Sequence, residues 1–290
     1  MPDTTLVTAP TQFVGADNDV TYAYRRFGSG GAGDVPLVLL QHFRGNLDNW
    51  DPALVDGLAR EREVIVFDNV GVSLTSGRTP GTVAQTARDA TAFLDALGLD
   101  RVDLLGFSLG GFVAQELALI RPDLVRTLVL AGTGPKGAPG MHGWRRDIAD
   151  HARAADAGGG DLLYIFFAHT ETSQAKGVEF LGRFLQRQED RDAPTSLQTR
   201  DAQYDAVLDW GIPDHGALQR LTGIRQPTLI LQGDNDLMIP TKASHLMAGL
   251  IPDSRIKIYP DASHAFLFQY PDEVAADVNE FLAEQDKNQR

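Results

Sequence analysis

A serine between two glycines is the part of this sequence best suited to carry chemistry. Residues 106–110 read Gly-Phe-Ser-Leu-Gly, follow an apolar run and precede a stretch of helical period. A serine on a sharp turn between a strand and a helix projects its hydroxyl above the sheet, and flanking glycines relieve the resulting crowding. The segment therefore predicts that Ser108 is a nucleophile. A plain glycine-rich turn is the alternative interpretation.

Two later loops contain the groups that such a serine needs. A serine hydroxyl is a poor nucleophile at neutral pH, so a base must reach it and an acid must orient that base. Asp236 follows the apolar run at residues 228–232, and His264 follows the next run at residues 255–259. The order serine, acid, histidine is one of the known chain orders of a catalytic triad. We therefore predict a triad of Ser108, Asp236 and His264.

These loops can meet only if a sheet brings the ends of their strands together. Short apolar runs, which predict strands, occur at residues 37–40, 64–67, 102–106, 127–131, 228–232 and 255–259. Segments of helical period, which predict helices, occur at residues 52–59, 82–97 and 271–284. The alternation predicts an α/β fold built on a mostly parallel, doubly wound sheet.

The chain changes character between the fourth and fifth predicted strands. Glycine and proline punctuate residues 132–140, and a long stretch of helical period follows. We predict that residues 1–134 and 222–290 form the core domain and that residues 135–221 form an inserted helical cap. Interspersed charges at residues 183–191 predict a solvated face. Eight aromatic residues of the insert could line a pocket or simply pack together: Trp144, Tyr164, Phe166, Phe167, Phe180, Phe184, Tyr204 and Trp210.

On these features the sequence resembles the α/β-hydrolase superfamily from about residue 21 to residue 282. In particular it is similar to compact bacterial carboxylesterases and cofactor-free haloperoxidases, whose Gly-x-x-Asp motif followed by proline matches Gly233, Asp236 and Pro240. The resemblance implies the α/β-hydrolase fold, a cap over the nucleophile, and Asp236 rather than Asp234 as the acid. Asp234 is then interpreted as a loop-capping carboxylate. Serine at position 108 argues against haloalkane dehalogenases and epoxide hydrolases, which have aspartate there.

The resemblance also implies two backbone N–H donors for a developing oxyanion. The first is the N–H of Leu109. The second comes from the loop after the first predicted strand, where the family usually has histidine, glycine and a bulky residue. Alignment through Trp50 places Gln41 and His42 at the first two of these positions and Phe43 at the donor position. We therefore predict the Phe43 N–H as the second donor.

Two residues beside this predicted donor depart from the family pattern. His42 could be a structural histidine that replaces a family partner, or it could contact substrate. Arg44 could bind a substrate carboxylate, although an exposed loop arginine needs no such role. A family segment that supports the loops of the site is only partly retained here, at residues 68–75, because several of its usual residues are replaced.

The composition narrows the possible partners. A formal net charge of −13 opposes binding to nucleic acid and to an anionic membrane surface. The chain has no cysteine and seven scattered histidines, so we predict neither a metal site nor another cofactor. Residues 1–13 lack the pattern of a signal peptide, and no apolar run is long enough to cross a bilayer, so a cytoplasmic location is expected. The sequence does not determine the oligomeric state.

Together these features predict a serine hydrolase that cleaves a carboxylic ester through an acyl-serine intermediate. The expected substrate is a small molecule, an ester with an apolar portion. Perhydrolase or haloperoxidase activity, lactone hydrolysis and carbon–carbon bond hydrolysis use the same triad and remain alternatives. A non-catalytic ligand-binding protein on the same scaffold is an alternative of another class.

Overall fold

Eight strands form one sheet in the computed structural model, which describes residues 4–30 and 34–287. In chain order they are β1 (Gln12–Gly15), β2 (Thr21–Gly28), β3 (Leu37–Leu40), β4 (Glu63–Phe67), β5 (Val102–Phe107), β6 (Val125–Ala131), β7 (Thr228–Gly233) and β8 (Ser254–Tyr259). Across the sheet the order is β1-β2-β4-β3-β5-β6-β7-β8. The contacts of β2 with β1 and β4 are antiparallel, and every other pairing is parallel. The predicted α/β-hydrolase fold is confirmed.

The six strands predicted from apolar runs are present, but β1 and β2 were not predicted. Strand β2 contains Arg25 and Arg26, which interrupt the apolar pattern that predicts a strand. The Arg25 side chain is fully buried and forms an ion pair of 2.7 Å with Asp48. Arg26 pairs with Glu63 on the neighbouring strand β4. These charges are compatible with a strand only because of partners that are distant in the sequence.

Helices flank the sheet. The helices of the core are α1 (Pro52–Ala59), α2 (Val83–Ala96), α3 (Leu109–Ile120), α9 (Thr241–Leu250), α10 (Phe266–Gln269) and α11 (Pro271–Lys287). Helix α2 begins after Thr82, whose hydroxyl accepts a hydrogen bond from the Gln85 N–H. It packs on α3, and α1 packs on α11. Among the described helices, none has the length and hydropathy that a membrane span requires. The signal-peptide prediction falls partly on residues 1–3, which lie outside the described residues.

The insert between β6 and β7 is helical. It contains α4 (Arg146–Ala152), α5 (Gly159–Phe166), α6 (Glu171–Phe184), α7 (Leu197–Trp210) and α8 (His215–Gln219). The predicted solvated face at residues 183–191 is partly wrong. Arg183 forms an ion pair of 2.7 Å with buried Asp51, and Arg187 is buried and donates to the carbonyls of Val7 and Ala9. These arginines attach the insert to the core. That the insert acts as a cap remains a prediction.

Candidate active site

The turn from β5 to α3 presents Ser108. The backbone of Ser108 is left-handed, with φ 55° and ψ −116°. A side chain at Gly110 would place its Cβ 2.0 Å from the Leu40 carbonyl oxygen, and one at Gly106 would lie 2.4 Å from the Gly110 carbonyl oxygen. Glycine at both positions therefore lets α3 start directly against β3 and β5. The strand, turn and helix around Ser108 have the predicted arrangement.

The structure brings Ser108, His264 and Asp236 together. His264 Nε2 lies 2.8 Å from Ser108 Oγ, and His264 Nδ1 lies 2.8 Å from Asp236 Oδ2. The second carboxylate oxygen, Asp236 Oδ1, accepts the N–H groups of Met238 and Ile239 at 2.7 and 2.9 Å. Because a carboxylate only accepts, Nδ1 carries the proton and Nε2 is free to accept the hydroxyl proton of Ser108.

Asp234 lies in a different environment from Asp236. Its carboxylate accepts the N–H groups of Asp261 and Ala262 at 3.0 and 3.1 Å. It therefore ties the loop after β7 to the loop that precedes His264. The interpretation of Asp234 as a loop-capping carboxylate is confirmed.

The loop after β3 carries Phe43, the second predicted oxyanion donor, which lines the same cavity as Ser108. Its shape depends on Gln41, whose side chain accepts the His42 N–H at 2.9 Å and donates to the Asn46 carbonyl at 2.8 Å. Within residues 4–30 and 34–287, neither the Phe43 N–H nor the Leu109 N–H has a hydrogen-bond acceptor. Both are therefore available to a ligand. This role of Gln41 was not predicted from the sequence.

His42 is buried between aromatic rings next to the site. Its ring lies edge-on to Phe107 and Phe166, each at a centroid distance of 5.3 Å. Nδ1 donates to the Phe43 carbonyl oxygen at 2.9 Å. Burial lowers the pKa of His42 from 6.5 to about 4, although the carbonyl of Phe43 partly opposes this shift. His42 supports the loop as a neutral side chain, and it also lines a cavity over Ser108 and His264.

The burial of His42 predicts a loss of stability in acid. The unfolded chain binds the proton near pH 6.5 and the folded protein only near pH 4, so the free energy of unfolding falls as the pH is lowered through this window. We expect this one group to contribute a loss of about 2 kcal/mol between pH 7 and pH 5. His42→Gln keeps a hydrogen-bond donor near the Phe43 carbonyl but cannot titrate.

Urea unfolding at both pH values measures this difference. The loss between pH 7 and pH 5 should be smaller by about 2 kcal/mol in His42→Gln than in the wild type. His245→Gln, which replaces an exposed histidine on α9, is the matched control. An equal acid loss in His42→Gln and the wild type would contradict the assignment.

A cavity of about 330 Å³ opens over Ser108 and His264. Its apolar wall consists of Phe43, Leu162, Ile165, Phe166, Phe180, Leu181, Phe184, Leu185 and Met238. Of the eight aromatic residues singled out in the insert, Phe166, Phe180 and Phe184 line the cavity. The other five pack elsewhere, as Trp210 does in stacking on Phe112. Packing within the protein, the alternative interpretation, therefore explains most of them.

The polar wall of the cavity includes Arg44 and two residues of the insert. Arg44 is half-buried rather than exposed, and its Nη1 donates to the carbonyls of Ala152 and Ala154 at 3.2 and 2.7 Å. His151 Nδ1 lies 2.7 Å from Asp161 Oδ1. This pair was not predicted from the sequence, because its members are ten positions apart and no helical spacing links them. The part of the chain that the structure describes holds no group of three or more histidines and carboxylates suited to a metal ion.

A buried acidic contact joins the loop after β3 to the insert. The Leu47 N–H donates to Asp68 Oδ1 at 2.9 Å and to Asp192 Oδ2 at 3.1 Å. Burial and the neighbouring charge of Asp192 raise the pKa of Asp68 well above its usual value. The Asp192 N–H in turn donates to Asp48 at 2.7 Å. Asp68 therefore supports the loops of the site, as the resemblance implies for residues 68–75.

Comparisons with known proteins agree with the fold. A model of the α/β-hydrolase fold family matches residues 35–271. A solved α/β-hydrolase fold protein from Chitinophaga pinensis is 39% identical with a TM-score of 0.90, covering 96% of this chain and 98% of that one. A poly(3-hydroxyalkanoate) depolymerase from Ectopseudomonas oleovorans is 30% identical over 87% of this chain and 85% of its own length. A pimeloyl-[acyl-carrier protein] methyl ester esterase from Edwardsiella ictaluri is 28% identical over 87% of this chain and 94% of its own length.

Proposed function

The chain belongs to the α/β-hydrolase family, and from this premise we propose that it is a serine hydrolase that cleaves a carboxylic ester. The observation that carries the proposal is the continuous hydrogen-bonded row from Ser108 Oγ through His264 to Asp236, with both distances 2.8 Å. Ser108 and His264 line a largely apolar cavity. A relative named as a methyl ester esterase supports an ester as the substrate.

The proposed reaction has two halves. In the first, His264 Nε2 takes the Ser108 proton while Oγ attacks the ester carbonyl, and the N–H groups of Phe43 and Leu109 stabilise the oxyanion. His264 then gives the proton to the departing alkoxide, which leaves an acyl group on Ser108. In the second half, His264 activates water, which releases the acid. Asp236 holds the histidine tautomer and stabilises the imidazolium.

The proposal is tested with p-nitrophenyl esters of increasing acyl length. We expect a burst of p-nitrophenol equal to the enzyme concentration, or steady turnover if deacylation is fast, because the acyl group must leave Ser108 before the next cycle. Ligand binding without p-nitrophenol release at any acyl length would favour a non-catalytic binding protein.

The cytoplasmic location and the absence of nucleic-acid and membrane partners remain predictions from composition.

The apolar wall predicts how acyl-length preference is set. Phe184 lies half-buried at the end of α6 and lines the cavity, whereas Phe167 is fully buried and does not line it. Phe184→Ala should enlarge the cavity and shift the preference towards longer acyl chains. Phe167→Ala, the matched control, should keep the wild-type preference and lose about 3 to 5 kcal/mol of stability. Initial rates across the ester series, with melting temperatures, measure both effects. An unchanged profile in Phe184→Ala would show that this wall does not select the acyl chain.

A further inference from the structure

The charged side chains around the cavity are unequally paired. Of the three aspartates that line it, Asp48 pairs with Arg25 at 2.7 Å and Asp161 with His151 at 2.7 Å, whereas Asp192 accepts the Leu47 N–H and forms no ion pair within the described chain. Arg44 differs from Asp48 and Asp161. Among the described residues, no carboxylate oxygen lies within 4.0 Å of its guanidinium. Arg44 therefore has no acidic partner at ion-pair distance in the described chain, and neither has Arg191, the other arginine that lines the cavity.

The hydrogen bonds of Arg44 leave part of its guanidinium free. Nη1 donates to the carbonyls of Ala152 and Ala154, while Nε and Nη2 have no acceptor among the residues that the structure describes. Burial, reinforced by the nearby charge of Arg200, lowers the pKa of Arg44, and the charges of Asp161 and Asp201 partly oppose this shift. A guanidinium that is half desolvated is stabilised when a carboxylate binds it, and its planar N–H groups match the two carboxylate oxygens.

The position of Arg44 limits where that carboxylate can be. Arg44 directly follows Phe43, so their Cα atoms are only about 3.8 Å apart along the loop that faces Ser108. The backbone of Arg44 is fixed on both sides, because its N–H donates to the Gln203 side chain at 2.7 Å and its carbonyl accepts the Thr195 hydroxyl at 2.6 Å. These bonds fix where the side chain begins, and the bonds from Nη1 to the carbonyls of Ala152 and Ala154 hold the guanidinium in the wall of the cavity that Ser108 also lines.

We propose that Arg44 binds a carboxylate of the substrate, and that the substrates are esters that carry a second, ionised carboxyl group, such as half-esters of dicarboxylic acids. This inference rests on the proposed ester hydrolysis at Ser108. The apolar wall takes the uncharged part of the molecule, and Arg44 takes the charged end. Esters without the carboxylate leave the Arg44 charge without a partner and bind more weakly.

The test compares two esters of the same acyl length, mono-p-nitrophenyl adipate and p-nitrophenyl hexanoate. The wild type should prefer the adipate, and Arg44→Gln should lower the ratio of the two kcat/KM values by about 10- to 100-fold, mainly through KM. Arg44→Lys keeps the charge and should retain part of the preference. Arg200→Gln is the matched control, because it removes a nearby cation that does not line the cavity.

A binding measurement separates this inference from the proposed reaction. Adipate should bind the Ser108→Ala protein in a calorimeter at least 10-fold more tightly than it binds the Ser108→Ala/Arg44→Gln protein. Equal binding by the two proteins would overturn the role of Arg44. An unchanged ratio of the two kcat/KM values in Arg44→Gln would also overturn it. If both kcat/KM values fell equally, Arg44 would only attach the insert to the core. Adipate binding that depends on Arg44, without turnover of either ester by the wild type, would contradict only the proposed reaction.

Discussion

Replacing Ser108 with alanine is expected to lower kcat for ester hydrolysis by about 10⁶-fold, the size of effect seen when a serine protease loses its nucleophile. In the proposed reaction the Ser108 oxygen forms the acyl intermediate, and without it His264 has no hydroxyl to deprotonate. A fluorophosphonate should add one adduct to the wild type, at Ser108, and none to Ser108→Ala. Steady-state rates and mass spectrometry of the labelled protein measure the two effects.

Ser244→Ala is the matched control for this experiment. Ser244 is buried in α9, and its Oγ has no hydrogen-bond partner among the described residues, so its loss should leave both labelling and turnover unchanged. An adduct that persists in Ser108→Ala, or that maps to another serine, would assign the nucleophile elsewhere. Melting temperatures of both variants exclude unfolding as the cause of any loss.

Asp236→Asn is expected to lower kcat by up to about 10⁴-fold while the fold is retained. Asparagine can donate to Nδ1 and so stabilises the histidine tautomer that protonates Nε2, which leaves no base for Ser108. The same change at Asp234, two residues earlier, should reduce only the local hydrogen bonds to Asp261 and Ala262. Turnover by Asp234→Asn should therefore stay near that of the wild type.

The comparison of the two variants is made at matched melting temperature, with His264→Ala as the reference for complete loss. A large defect in Asp234→Asn together with near-normal turnover in Asp236→Asn would reverse the assignment. A large defect in both would mean that the loop shape, rather than the bond from Asp236 to His264, limits the rate.

The sequence predicted the fold because the parallel strands are buried and therefore apolar. The runs at residues 37–40 and 228–232 correspond to β3 and β7, and the segment after each run contains residues of the site. The strand β2 was missed because Arg25 is buried against Asp48, and such a pair is visible only in three dimensions. The same limit applies to residues 183–191, whose arginines contact distant parts of the core.

The candidate site was predictable where function depends on a motif and unpredictable where it depends on contacts. Ser108, Asp236 and His264 follow strand ends at recognisable spacing, and the structure places them in one hydrogen-bonded row. Their catalytic role remains a prediction. Nothing in the residue type distinguishes Arg44 as an exposed loop residue from Arg44 as part of the cavity wall. Arg44 is part of the cavity wall because it donates to the carbonyls of Ala152 and Ala154, which lie more than a hundred residues away in the sequence.

The left-handed backbone of Ser108 costs stability at the position that is proposed to be reactive. A residue with a side chain in this conformation costs about 1 to 3 kcal/mol. Domains of this kind are stable by only about 5 to 15 kcal/mol, so this conformation of Ser108 lowers the stability of the protein by a sizeable fraction. Close packing of α3 against β3 and β5 offsets this cost and prevents the turn from relaxing. Glycine would adopt the same turn with less strain, but it has no hydroxyl.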